Sequence, residues 1–270
     1  MPTFDFHADK KTFDLVNARA MARASQLAYG KVRADDVRGT LGSWGFPNAR
    51  FFSDRAAGTQ GFVAGNSELV LVSFRGTEPG ELKDWMTDLK IRRVPGKGGG
   101  HVHRGFKAAL EAVASDMAAA VRRLRDRGQP VFVTGHSLGA ALATLAVAAS
   151  ETEGIEIAGL YTFGSPRVGN KVFAKRFTAK HGRRAFRVVN NNDTVTRVPP
   201  RSAGYKHVGT VEYLDAAGRL HTGTGRWKLF LRRVQGQVQG RIDDFLKPGT
   251  DGLKDHGIRR YVEIMDALSE

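Results

Sequence analysis

Apolar positions along this chain recur at two spacings, and the alternation between them lays out the elements. Phe13, Val16, Ala20, Ala24 and Leu27 stand three or four residues apart within residues 12–29, the spacing of one helix face. Residues 39–65 mix turn residues with Trp44, Phe46, Phe51, Phe52 and Phe62, which predicts short strands and loops. Residues 68–74 (ELVLVSF) are a nearly unbroken apolar run, as a strand covered on both faces requires. Over residues 78–89 the stripe Leu82, Trp85, Met86 and Leu89 predicts a short amphipathic helix. Residues 97–100 (KGGG) read as a flexible loop, and residues 107–127 as one long helix. Its inward stripe is Leu110, Val113, Met117, Val121 and Leu124.

The second half repeats the alternation. Strands are expected at 131–133, 159–163 and 185–190, with helices after the first two, the second marked by Phe173 and Phe177. Residues 205–220 predict a hairpin turning at residues 215–218, and Ile258, Tyr261, Met265 and Leu268 a closing helix. Between them, residues 226–246 form a basic amphipathic stretch with Leu231, Val234, Val238 and Ile242 at helical spacing. Strand–helix alternation of this kind predicts an α/β fold, a mostly parallel sheet flanked by helices. All 270 residues are expected to form one domain.

Composition narrows the chemistry. There is no cysteine, which excludes disulfides, thiolate nucleophiles and cysteine-bound metals. No window is apolar for the ~18 residues that a membrane span needs. The opening residues are charged and lack an apolar leader core. The expectation is therefore a cytoplasmic protein, or one exported without a leader or after processing. The net charge of +15 is regional: residues 171–241 hold sixteen Lys/Arg against Asp193, Glu212 and Asp215, or +13, and the rest of the chain carries +2. Such a region attracts anionic lipid, nucleic acid or an acidic partner.

The candidate chemistry centres on Gly135-His136-Ser137-Leu138-Gly139, set between an apolar strand and an Ala-rich helix. In that context Gly-x-Ser-x-Gly marks a nucleophile elbow, with Ser137 on a strained turn at a helix N-terminus. A serine needs an imidazole to take its proton and a carboxylate to hold that imidazole. Asp193, at a strand end after Ser137, is the expected acid; Asp215 is better explained as hairpin-turn chemistry. Of His207, His221 and His256, the last stands in a loop before a helix and is the expected base. Oxyanion donors are expected at Leu138 and at Thr77, whose alternative role is to cap the following helix. No metal or organic cofactor is needed for this chemistry.

Seven blocks in order, VSFRGTE (72–78), DWMTDL (84–89), VHRGF (102–106), VTGHSLGAALA (133–143), TFGSPRVGN (162–170), NNNDTVTRVPP (190–200) and DHGIRRY (255–261), resemble the class 3 lipases. That family is similar to the fungal triacylglycerol lipases. The resemblance implies an α/β-hydrolase fold and a serine esterase acting on acylglycerols or related lipids at an oil–water or membrane interface. It implies a triad of Ser137, Asp193 and His256, and oxyanion donors at Thr77 and Leu138. It further implies a lid over residues 78–90, with Leu82, Trp85, Met86 and Leu89 meeting substrate. Phospholipase A1 and feruloyl esterase activity belong to the same scaffold. A polyanion- or nucleic-acid-binding protein is the alternative from another class, although no nucleic-acid motif accompanies the charge. Fungal members are secreted and disulfide-bonded, and the basic stretch at 226–246 has no counterpart in their pattern.

Overall fold

The computed structural model describes residues 4–30, 34–78, 80–87, 91–222 and 251–268, without the side chains of Ala34, Lys83, Trp85, Thr87 and Asp251. The 226–246 stretch therefore lies outside the described residues. The chain begins with α1 (Leu15–Leu27), whose first turn is closed by Asp14 Oδ1 accepting from the Asn17 N–H at 2.9 Å. Next come α2 (Ala34–Ser43) and the antiparallel strands β1 (Asn48–Asp54), β2 (Thr59–Gly65) and β3 (Val70–Phe74). The helix over 34–43 differs from the strands and loops expected from residue 39 onward. Its apolar pattern is only Val37 and Leu41, and Gly39 and Gly42 dilute its helix propensity.

After β3 stand α3 (Leu82–Thr87), β4 (Arg93–Pro95), β5 (His101–His103), α4 (Arg104–Glu111) and α5 (Ala114–Leu124). Residues 97–100 form the turn of the β4–β5 hairpin, closed by the Gly96 N–H donating to the Gly100 carbonyl at 3.0 Å. The long helix expected over 107–127 is two. It breaks at Val113, whose φ of −124° and ψ of −1° leave the helical region. Leu110, Val113, Met117 and Val121 all remain in the core, so the break re-aims the axis without turning the stripe outward.

Next in the chain are β6 (Val131–His136), α6 (Leu138–Ala149), β7 (Ile157–Phe163), β8 (Gly169–Asn170), α7 (Lys171–His181) and β9 (Ala185–Asn190). The last elements are β10 (Tyr205–Lys206), β11 (Thr210–Leu214), β12 (Leu220–His221), α8 (Asp251–Lys254) and α9 (Ile258–Ala267). Eight strands form one sheet in the order β1-β2-β3-β6-β7-β9-β11-β12. Neighbours from β3 to β11 are parallel. The hairpin expected over 205–220 is shorter than its residue pattern suggested. Only β11 and β12 pair around the Asp215 turn, while Tyr205 and Lys206 join a second sheet, β10-β8-β5-β4.

Two cores lie on opposite faces of the large sheet. One packs α4, α5, α6 and α7 on residues such as Val72, Val133 and Leu160; the other packs α1, α2 and α9 on Leu71, Phe132 and Val188. Helix α6 is buried along every residue from Gly139 to Ala149, which explains its lack of a polar face. Among the described residues no helix is long and apolar enough to cross a membrane.

Candidate active site

All six residues of β6 are buried, and its carboxyl end delivers the chain into a turn of forbidding geometry. Ser137 stands at φ 58° and ψ −126°, a conformation that L side chains avoid. The surroundings over-determine it: its N–H donates to the Phe163 carbonyl at 3.0 Å, and α6 begins at the next residue. A Cβ on Gly135 would lie 2.4 Å from the Gly139 carbonyl carbon, and one on Gly139 would lie 2.3 Å from the Phe74 carbonyl oxygen. Both glycines of the pentapeptide are thus fixed by close backbone approach, as the sequence implied.

Asp193 follows β9 and His256 stands between α8 and α9; they are 63 residues apart in sequence. The His256 Nδ1 lies 2.9 and 3.0 Å from the two Asp193 carboxylate oxygens. A carboxylate partner assigns the proton to Nδ1 and leaves Nε2 as the free base. The acid itself is fully engaged. Its Oδ1 accepts from the Val195 N–H at 2.9 Å, and its Oδ2 accepts from the Tyr261 hydroxyl at 2.6 Å. Ser137 and His256 are 0% and 2% exposed. Ser137 Oγ and His256 Nε2 make no hydrogen bond to any described residue. Buried polar atoms without partners are costly and uncommon, and catalytic groups are one recognised reason for them.

A second layer holds this arrangement. The His256 ring packs at a tilt against His136 with centroids 4.4 Å apart, and its carbonyl accepts from His136 Nε2 at 2.6 Å. That bond makes His136 Nδ1 the acceptor for the Tyr29 hydroxyl at 2.7 Å. Burial, with His256 beside it, holds His136 well below the usual imidazole range, so it stays neutral. Asp255 ties the base to the acid loop: its Oδ2 accepts from Asn191 Nδ2 at 2.9 Å and from the Asn192 N–H at 3.2 Å. Gly164, at φ +57°, lets this cluster close, because a Cβ there would lie 2.7 Å from Asp193 Oδ2.

Leu138 and Thr77 stand after the carboxyl ends of the neighbouring parallel strands β6 and β3. Leu138 opens α6, so its N–H has no acceptor within the helix. Thr77 follows the carboxyl end of β3, and its hydroxyl is buried without a partner among the described residues. It does not cap α3, which begins five residues later at Leu82.

The family profile described as "Lipase (class 3)" matches residues 71–203, which hold Thr77, Ser137 and Asp193. Over that span the chain matches the class 3 lipase family. A secreted mono- and diacylglycerol lipase 1 of Fusarium solani is 40% identical over 154 residues, covering 54% of this chain and 44% of that protein. Phospholipase A1-II 4 of Oryza sativa subsp. japonica is 31% identical over 208 residues, covering 63% and 52%. The chain spans about half the length of such curated relatives, 44% and 52% in these two. Among solved structures, a mono- and diacylglycerol lipase from Aspergillus oryzae superposes with a TM-score of 0.67 at 25% identity, covering 79% of this chain and 87% of that one. Lipase II from Rhizopus niveus gives 0.61 at 28% identity, covering 74% and 78%. The fold is accordingly the α/β-hydrolase fold.

Helix α3 packs on the loop that follows Asp193. Leu82 and Met86 are buried against Val195, with Val198 and Leu253 packed beside them. Val195 follows Asp193 by two residues and Leu253 precedes His256 by three, so α3 packs beside the segments that carry both residues. Of the residues expected on this stripe, the Trp85 side chain and Leu89 lie outside the described residues. The other histidines serve structure: His207 Nε2 donates to the Thr196 carbonyl at 2.8 Å, and His221 pairs with Asp215 at 2.9 Å. Asp215 also accepts from the Ala217 and Arg219 N–H groups, which makes it the hairpin's turn residue. Sequence reasoning missed Tyr261 and Asp255. Tyr261 falls on the apolar stripe of its helix and reads as core, and Asp255 is visible only as the neighbour of His256.

Proposed function

We propose that this protein is a serine carboxylic-ester hydrolase that cleaves acylglycerol-type esters through an acyl-enzyme. The observation that carries the reading is the buried His256–Asp193 pair, at 2.9 Å, together with a serine strained at φ 58° at the end of the central strand. Ser137 Oγ attacks the ester carbonyl carbon while its proton passes to His256 Nε2. Asp193 holds the imidazolium formed, and the carbonyl oxygen, now negative, accepts from the Leu138 N–H and from Thr77. The tetrahedral intermediate collapses, the ester C–O bond breaks, and the leaving alkoxide takes the proton from His256. Water then loses a proton to Nε2 and attacks the acyl-enzyme; the acid departs and Ser137 recovers its proton. No step requires a metal or organic cofactor.

The α3 segment is the lid in this reading: with Leu82 and Met86 packed over the acid loop, the nucleophile is sealed until the helix swings out at a lipid interface. The name of the Fusarium relative supports a secreted enzyme. Phospholipase A1 activity is a second reading, supported by the rice relative. An acyl panel from p-nitrophenyl butyrate to diacylglycerol, triacylglycerol and phospholipid emulsions separates these substrates. A fluorophosphonate probe should form one adduct, on Ser137, identified by peptide mass spectrometry; an adduct on another serine would refute the assignment.

A further inference from the structure

The small sheet β10-β8-β5-β4 is joined along the chain to segments that build this site. Strand β8 starts five residues after Gly164, which touches Asp193 and His256, and β4 follows the lid helix α3. Its two edges are drawn onto one surface: Arg93 of β4 stands over the ring of Tyr205 of β10 at 5.5 Å, and the Tyr205 hydroxyl donates to the Arg92 carbonyl at 3.4 Å. Tyr205 pairs with Asn170, which places Lys206 beside Gly169 and Lys171 immediately after that pair. Arg92, Arg93, Arg201, Lys206 and Lys171 are all exposed.

Acidic residues are sparse in the segments that carry these cations. Residues 91–110 contain no Asp or Glu, and residues 164–211 contain only Asp193, which is buried. Some cations elsewhere are paired, Lys97 with Glu153, Lys107 with Glu111 and Lys180 with Glu151. The five of this surface form no ion pair with any described residue. Among the described residues three large apolar side chains are exposed, and two of them flank this surface: Ile91 at 48% and Val172 at 49%. A polyanion such as a nucleic acid would use the charges and leave those aliphatic groups in water. A bilayer carrying anionic headgroups uses both, charges at the headgroup level and aliphatic side chains below it.

We propose that the face made by β4, β10 and the first turn of α7 docks this protein on an anionic lipid bilayer, holding the mouth of the active site against its substrate. The inference rests on the hydrolase reading for its purpose, but its test does not. The full chain is titrated with phosphatidylcholine vesicles with and without phosphatidylglycerol, in low and high salt. Wild type should prefer the phosphatidylglycerol vesicles, and the preference should fade with salt. The triple variant Arg93→Gln, Lys171→Gln, Lys206→Gln should lose about a hundredfold in that affinity while melting like wild type. Its hydrolysis of soluble p-nitrophenyl butyrate should be unchanged. The pair Ile91→Ser, Val172→Ser should weaken vesicle binding and leave retention of a duplex oligonucleotide unaltered. Equal binding to both vesicle types, or a triple variant that binds phosphatidylglycerol like wild type, overturns the proposal. So does an apolar pair that binds vesicles like wild type, which would leave a polyanion as the partner. Vesicle preference without ester hydrolysis would refute the hydrolase reading alone.

Discussion

Tyr261 makes the shortest of the hydrogen bonds to Asp193, and its role shows what a single buried hydroxyl does for the site. Its oxygen accepts from the Asn190 N–H at 3.0 Å and donates to Asp193 at 2.6 Å, so it links the end of β9 to the acid. Burial, with Asp193 beside it, raises this phenol well above its usual range, which keeps it a donor at any working pH. Tyr261→Phe removes that bond without changing the ring. The expected outcome is a fall in stability of about 2 kcal/mol, typical for a hydrogen bond to a charged group, and a lower kcat with KM little changed. Urea unfolding and steady-state rates on p-nitrophenyl butyrate check both; a variant with wild-type kcat would remove the phenol from the catalytic account. Ser137, Asp193 and His256 were legible as candidates because each stands in polar or glycine-flanked sequence at an element's end. Tyr261 was not, because an aromatic on a helix stripe carries the same pattern whether its hydroxyl is idle or engaged.

At the scale of elements, helix α3, proposed above as the lid, is where burial and the proposed gating meet. Helix α3 is only six residues long, too short to persist without tertiary contacts, and Leu82 and Met86 supply them through Val195. Replacing both by serine should loosen the cover. The variant is expected to hydrolyse soluble butyrate faster than wild type, severalfold, and to show less activation when an emulsion is added. Rates below and above the solubility limit of one ester measure this; an unchanged ratio would mean that α3 does not gate the site. Periodicity foretold this helix, as well as α1 and α9, since each shows one apolar face. It overran at α4 and α5, because an inward stripe stays continuous across a kink that changes only the backbone at Val113. It failed at α2, whose two apolar contacts and two glycines give no stripe to see.

Across the whole molecule, the sheet order and the two-sided cores follow from apolar runs that need cover on both faces, which is why the architecture was readable. The second sheet was not, for strands of two or three residues carry no period. The large sheet also holds a polar group that the chemistry does not use. Glu212, 2% exposed on β11, leaves Oε2 without a partner among the described residues, and burial raises its carboxyl to about 7. With the folded value raised above the unfolded one, the folded state holds this proton longer. Stability from that proton is complete below about pH 4.5 and is lost as pH rises through 7. Glu212→Gln has no such loss. It should gain on wild type between pH 5 and pH 8 by up to about 3 kcal/mol, read from urea unfolding at the two values; a constant difference would contradict the raised value. The central claim concerns the serine at the end of β6, and it is tested most directly by diacylglycerol hydrolysis in wild type and in Ser137→Ala. Wild type should release fatty acid, while the variant, folded and equally stable, should lose at least about a thousandfold of that rate. Hydrolysis by the variant at the wild-type rate would contradict the account.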